Sequence, residues 1–328
     1  MKEQIRVSMG TLRVLGMEIL ETDADPTTAY LQTYEPGRCS ANCAFCSQAK
    51  HSKSKDENIA RGLYPPRDTK EVITRLAKAY SHGLLKRACI QTMNYPGMAD
   101  DLLYIVREIK KSSGIPISVS LFPLAEEVLR ELKRAGADQV VIPLDAVSKK
   151  IFEEVKGKKS RSPYQWETHM KALSDAASLF GKGNVGTHLI IGLGETEEET
   201  AYLLQMLTYM GVYPALFAYT QVPDAQMKRD PPNIGHYRRI QLICHLISNK
   251  LSTYGGMEFM NGKIVSYGKD PFSTEALIDT GVPFRTKGCA DCNRPYSTEE
   301  PGGIIYNYPR NLTDQESDAV RKQLTEGL

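Results

Sequence analysis

The stretch "TAYLQTYEPGRCSANCAFCSQAK", residues 28–50, joins an apolar, strand-like run to a loop carrying Cys39, Cys43 and Cys46 in a C-x3-C-x2-C array. Apolar runs of this kind recur along the chain: "RACIQTM" from Arg87, "IPISVSL" from Ile115, "DQVVIPL" from Asp138 and "VGTHLIIG" from Val185. "YPALFAYT" from Tyr213, "GMEFMNG" from Gly256 and "GVPFRT" from Gly281 continue the series. Continuous apolar runs are the mark of parallel strands buried on both faces. Between them lie amphipathic stretches such as "DTKEVITRLAKAYSHG" and "LAEEVLRELKRAGA", the second closed by Gly136. Strands alternating with helices predict an α/β fold, a (β/α) TIM-like barrel, complete or nearly complete. A doubly wound open sheet would place a glycine-rich turn after its first strand, and here that turn is the cysteine loop.

The barrel is expected over 28–296, after an N-terminal extension, 1–27. A C-terminal extension, 297–328, is expected to pack on the barrel as irregular chain, "YSTEEPGGIIYNYPRNLT", followed by a polar helix. "VKGKKSRSPYQ" reads as a solvated basic loop. The chain of 328 residues is 41% hydrophobic and 24% charged, with a formal net charge of +2, so nothing in it calls for nucleic acid or an anionic membrane. No apolar run is long enough to span a bilayer. "MKEQIRVSMGTLRVLG" lacks a signal-peptide layout, and a cytoplasmic protein is expected.

The seven cysteines are an odd number, and five sit in two tight groups, which reads as metal ligation rather than a disulfide framework. Cys244 lies on an apolar helical face and reads as a buried free thiol. A structural zinc site closes its shell with four ligands, yet the first group offers three thiols, with His51 five residues beyond Cys46. A four-iron cluster held by three thiolates would keep one iron open. A zinc knuckle completed by a distant His is the alternative.

With Phe45 directly before Cys46, and the loop after the first strand, the sequence resembles the radical S-adenosylmethionine (SAM) enzymes. The resemblance implies a [4Fe-4S] cluster on Cys39, Cys43 and Cys46 whose open iron chelates SAM, and reductive cleavage to a 5′-deoxyadenosyl radical. It implies an adenine pocket along "THLIIGLGET" (Ile190, Gly192, Glu195), although His188 stands where the family has a glycine. Ordinary turn chemistry is the other reading of these glycines. Biotin synthase has an Asn-x-Asp at a strand end that contacts ribose; Asp145 matches the acid, and Pro143 replaces the Asn. Asp145 could instead cap the next helix. Thr92 and Asn94, in "QTMNYPG", stand where the family binds the methionine amino group.

Cys289 and Cys292 cannot close a metal site alone. The resemblance to biotin synthase supplies Cys89 as third ligand of an auxiliary [4Fe-4S] cluster. The other auxiliary cysteines of that family are replaced by Ser118 or Ser120 and by Gly186. Ser297 is a tentative fourth ligand, with Arg294 or an external sulfur species as alternatives, and half of a zinc ribbon is the competing reading. With the ending "GCADCNRPYSTEEPGGIIYNYPR", the chain looks most like a component of the two-protein lipoyl synthases found mainly in archaea. That implies sulfur insertion at C6 or C8 of an octanoyl chain on a lipoyl carrier domain or glycine-cleavage H protein. A sister component and an electron donor such as ferredoxin or flavodoxin are the further implied partners. A sulfur-free isomerase like methylornithine synthase, a hydrogenase-cofactor maturase and a non-catalytic cluster scaffold are the competing readings. His169, His188, His236 and His245 form no general-base pair by spacing. Tyr306 and Tyr308 read as packing or as flanks of an acyl channel, and Arg310 as a carboxylate contact or a surface pair.

Overall fold

A computed structural model describes residues 3–300 and 302–327. The strands are β1 (Gln4–Val7), β2 (Thr28–Thr33), β3 (Asn58–Ile59), β4 (Gly62–Leu63), β5 (Pro66–Asp68) and β6 (Arg87–Gln91). Then come β7 (Ile117–Ser120), β8 (Gln139–Val141), β9 (Val185–Ile191), β10 (Val212–Ala218), β11 (Glu258–Met260) and β12 (Lys263–Ser266). The helices are α1 (Met9–Val14), α2 (Thr69–Ser81), α3 (Met98–Ser112), α4 (Glu126–Ala135) and α5 (Lys149–Val155). They continue with α6 (Trp166–Phe180), α7 (Glu197–Met210), α8 (Ile234–Ser248), α9 (Pro271–Asp279) and α10 (Asp314–Leu324).

The main sheet has eight strands in the order β10-β9-β8-β7-β6-β2-β1-β5. From β2 to β10 every pairing is parallel and follows chain order, with helices in the crossovers, so this is the TIM-like α/β arrangement. Six of the expected strands are present; the last two are not barrel strands. "GMEFMNG" ends in Asn261 and Gly262, both left-handed (φ 52° and 77°), the geometry of a tight hairpin, and it folds back as β11–β12. "GVPFRT" starts at left-handed Gly281 and contains Pro283, which has no N–H to give a ladder; it forms a 3-10 turn, Val282–Phe284. The N-terminal extension contributes β1, antiparallel to both β2 and β5.

The strands have two unlike faces. In β9 and β10 the residues turned to the helices are buried, whereas His188, Ile190, Tyr213 and Phe217, turned to the lumen, are partly accessible. The edge between β10 and β2 is spanned by the C-terminal segment. The Arg294 backbone N–H donates to the Tyr30 hydroxyl on β2 (2.7 Å), and its guanidinium donates to the Leu216 carbonyl on β10 (3.0 Å).

Candidate active site: two thiol sets at opposite ends of the barrel

The first cysteine loop lies at the C-terminal mouth of the parallel strands, the catalytic end of this architecture. It is anchored on two neighbours. Ser40 N–H donates to the Asn94 carbonyl (2.7 Å), and Asn94 N–H donates to Cys39 Sγ (3.3 Å), joining it to the loop after β6. Ala44 N–H donates to the Val155 carbonyl (2.7 Å), and Asn42 Nδ2 to the Ser160 carbonyl (2.6 Å). From below, Gln32 on β2 and Gln48 exchange two amide hydrogen bonds (2.8 and 2.9 Å).

Burial pushes the Cys43 thiol well up and the Cys46 thiol up to about 12, the latter reinforced by Cys39 and opposed by backbone donation from Gln48 and Ala49. Such thiols ionise when a metal replaces their protons. Among the described residues no three His, Cys, Asp or Glu side chains group closely enough to share one metal ion. Zinc would need thiolates about 3.8 Å apart, from a Zn–S bond of about 2.3 Å. Three separated thiols with N–H groups on two of their sulfurs fit a polynuclear iron–sulfur cluster, in which each iron takes its own thiolate.

"VKGKKSRSPYQ" is not a solvated loop throughout. Lys156 is buried, its ammonium bonded to Asp145 Oδ2 (2.7 Å) and the Pro143 carbonyl (2.6 Å), and its charge favours the Cys43 thiolate. Tyr164 accepts from Asn94 Nδ2 (3.3 Å), and burial, with the field of Cys43 and Cys39, holds its hydroxyl protonated. Of its basic residues, Lys158, Lys159 and Arg161 are the exposed ones. Four consecutive basic and glycine residues mask one that is internal, and tertiary pairing with Asp145 was the missing signal. Asp145 does not cap the next helix: the N-cap of α5 is Ser148. His169 is buried behind this group between Phe152 and Tyr164, held neutral by burial at about 3.

Thr92 Oγ1 donates to the Ser120 carbonyl (3.1 Å) at the same mouth. Phe45 and Ile190 are partly buried against the core. Gly192 is left-handed (φ 105°), and a Cβ there would meet Pro232 at 2.9 Å. Glu195 turns back to accept from the N–H groups of Gly192 (2.6 Å) and Leu193 (2.9 Å), and reaches His236 Nε2 (3.4 Å). It therefore shapes the loop after β9 from behind.

The second thiol set lies at the other end. Arg87, at the start of β6, donates to the Ala290 carbonyl (2.9 Å); Gln139, at the start of β8, accepts from Ala290 N–H (3.3 Å). Thr27 N–H, just before β2, donates to Asn293 Oδ1 (2.9 Å). Cys89 on β6 is raised well above the ordinary thiol range by burial and then by Cys289 and Cys292, which share its surroundings. Tyr30 and Tyr213 reach Cys292 Sγ (3.4 Å) and Cys289 Sγ (3.2 Å). Ser118 is tied to Arg87 (3.1 Å), and the Tyr213 ring occupies the space where a Cβ on Gly186 would lie (2.3 Å). Arg294 stands over Phe217 (3.7 Å), and its charge favours the Cys292 and Cys89 thiolates; no hydrogen bond ties Ser297 to this set among the described residues. His188, against Phe217 (4.8 Å) in the lumen, is held neutral by burial at about 4.

A three-thiol loop at the catalytic mouth of a parallel α/β barrel agrees with the family comparison, in which the Radical SAM superfamily matches residues 36–207, more than half of the chain. The chain belongs to the radical SAM superfamily. Membership brings a [4Fe-4S] cluster and SAM, and the three-thiol loop described above suits that cluster. The chain is 34% identical over 108 residues to biotin synthase of Citrifermentans bemidjiense (31% of this chain, 30% of that protein). It is 26% identical over 202 residues to biotin synthase of Desulforudis audaxviator (60% of this chain, 57% of that protein). The chain thus spans between about a third and three fifths of these relatives' own length. Among solved structures, methylornithine synthase shares the fold at a TM-score of 0.54 and 14% identity (68% of this chain, 63% of that chain). The hydrogenase maturase HydG does so at 0.53 and 15% (68% of this chain, 50% of that chain).

The remaining expectations resolve as packing. Tyr306 donates to the Pro232 carbonyl (3.0 Å), Tyr308 lies under Arg238, and Arg310 pairs with Glu316 and Asp23 at the surface. Cys244 is a buried thiol. No helix among the described residues is long and apolar enough to cross a membrane.

Proposed function

We propose that this protein is a sulfur-inserting radical SAM enzyme, a lipoyl synthase component that adds sulfur at C6 or C8 of an octanoyl chain on a carrier protein's lysine. The observation that carries the reading is the meeting of Cys89, Cys289 and Cys292 at the far end of the lumen from Cys39, Cys43 and Cys46. A substrate chain lying along the lumen would face a radical source at one end and a sulfur source at the other. Similarity to biotin synthases supports the sulfur chemistry. The first cluster would supply the electron that cleaves SAM, and the second would supply sulfur.

The chain's own residues do the rest. Gln48 and Ala49 hold Cys46 by backbone donation, and Asn94 holds Cys39. Glu195 fixes the loop assigned to the nucleoside. The 288–299 segment bridges the β10–β2 edge through Arg294. The carrier domain or H protein, the sister component and a ferredoxin- or flavodoxin-like donor are the partners of this reading.

The test is anaerobic. Reconstituted protein, reductant and SAM are offered an octanoyl-lysine peptide or dethiobiotin, with and without a candidate sister component, and products are weighed. A single sulfur gained by the octanoyl peptide is expected, and fragmentation names the carbon. Cys39→Ala should abolish 5′-deoxyadenosine release, whereas Cys289→Ala should keep it and lose sulfur transfer. Deoxyadenosine without sulfur gain on either substrate overturns the sulfur assignment and favours a sulfur-free radical reaction.

A further inference from the structure

The second thiol set differs from the first in where its hydrogen bonds come from. The first set is served by backbone N–H groups, which any sequence would supply. The second is served by two phenols. Tyr213 hydroxyl donates to Cys289 Sγ at 3.2 Å. Its ring can lie there because residue 186 is glycine; a Cβ would stand 2.3 Å from the ring. Tyr30 hydroxyl stands 3.4 Å from Cys292 Sγ, and with Cys292 as a thiolate ligand the hydroxyl is the donor. The Tyr30 oxygen accepts the Arg294 backbone N–H at 2.7 Å, and a ligating Cys292 thiolate has no hydrogen to give, so the hydroxyl hydrogen is the one that points at the sulfur. Cys89 differs: among the described residues no hydroxyl or N–H reaches its sulfur.

We propose that Tyr30 and Tyr213 are the tuning residues of the second thiol set, each placing one O–H on a ligand sulfur and thereby raising the reduction potential of the cluster bound there. This rests on the reading of Cys89, Cys289 and Cys292 as cluster ligands. A hydrogen bond to a thiolate sulfur draws electron density from the cluster and stabilises its more negative, reduced state more than its oxidised state. Tyr30 is buried, and the low dielectric around it strengthens such a bond. The same donors favour thiolate at Cys289 and Cys292 over Cys89, so the three ligands are inequivalent. If sulfur leaves the cluster during turnover, the iron held by Cys89 is the one with the least stabilised ligand.

The variants Tyr30→Phe and Tyr213→Phe remove one oxygen each and keep the ring that packs on the barrel. The measurement is a redox titration followed by electron paramagnetic resonance on anaerobically reconstituted protein, with the first cluster as internal standard. Cys289→Ala identifies which signal belongs to the second set. Each Phe variant is expected to make reduction of the second cluster about tenfold less favourable, about 59 mV more negative for one electron. The first cluster's potential should stay where it is. An unchanged second potential, or equal shifts in both clusters, overturns the tyrosine assignment while leaving the second cluster intact. A wild-type protein whose signals are all retained in Cys289→Ala overturns the second cluster itself, and the proposal with it.

Discussion

At the scale of single residues, Asp145 concentrates the cost of building this mouth. It is not glycine, yet it is left-handed (φ 62°), four residues beyond β8, where it bridges to Leu189 of β9. Such backbone is tolerated where surrounding structure over-determines it. Here the determinant is Lys156, whose buried ammonium has the Asp145 carboxylate as its charged partner. Breaking a buried pair from one side costs about 3–5 kcal/mol, because an uncompensated charge remains. Asp145→Asn should therefore lose about that much in urea unfolding, although Asn accepts left-handed backbone as readily as Asp. Asp145→Asn combined with Lys156→Met should recover most of the loss. A single variant within about 1 kcal/mol of wild type would show that the pair does not hold the mouth together. The cysteines were legible because their spacing is local. Lys156 and Tyr164 were not, since a lysine among lysines carries no sign of which one is internal.

At the scale of elements, the loop after β9 is braced on α8 by one histidine. His236 Nε2 faces Glu195 (3.4 Å) and Nδ1 faces Glu197 (3.1 Å). Both ring nitrogens meet carboxylates, so the bound form is the imidazolium. Burial alone would pull its pKa down; hydrogen bonds and charge from Glu195 and Glu197 overcome that and raise it to about 9. Arg239 shares Glu197 (2.8 Å), Ile264 N–H donates to the same carboxylate (2.8 Å), and Arg229 holds the Leu193 carbonyl. A folded-state pKa above the unfolded value of about 6.5 means stabilisation present in full below that pH and lost as pH rises through about 9. The two glutamates are lowered despite burial, so their contribution holds above the ordinary Glu range and fades as pH falls below it. The unfolding free energy should fall by about 3 kcal/mol from pH 6.5 to 9.5, and His236→Gln should flatten that decline. An equal slope in both proteins would remove His236 from the account. Parallel strands of this fold were legible as apolar runs. β11 shares that apolar texture, and only its left-handed Asn261-Gly262 turn distinguishes it as one arm of a hairpin; β1 is four residues long with Arg6 inside it, too short and too polar for an apolar run.

For the whole molecule, the chain beyond the last parallel strand decides whether the lumen is closed. The 282–308 segment carries Cys289 and Cys292 to the N-terminal end, crosses the β10–β2 edge through Arg294, and returns beside the 3-10 turn, where Tyr308 and Phe284 are joined by a backbone hydrogen bond (3.1 Å). Little of this was readable in advance, because irregular chain takes its path from side-chain partners rather than from periodicity. Its chief partner is Arg238 on α8, which is 0% exposed. The guanidinium donates to the Tyr306 carbonyl (2.6 Å), the Ile305 carbonyl, Gln241 Oε1 (2.8 Å) and Gln323 Oε1 (2.9 Å), and lies over Tyr308 and Phe284. One side chain thus ties the tail and α10 to the outside of the barrel. Arg238→Met keeps apolar contact with both rings but leaves three acceptors without their donor, the Tyr306 carbonyl keeping Gln241 Nε2 (2.9 Å), at an expected cost on the order of 3 kcal/mol. The loss should be local. Hydrogen exchange should accelerate at Thr286 and Tyr308, whose N–H groups close the tail onto the 3-10 turn, while β6 to β9 keep their protection. If the second thiol set binds the cluster proposed for it, iron there should become labile to chelators in reconstituted protein, and SAM cleavage at the first set should persist. Uniform acceleration of exchange across the barrel would instead mean that tail and barrel unfold as one unit, with Arg238 a part of the common core.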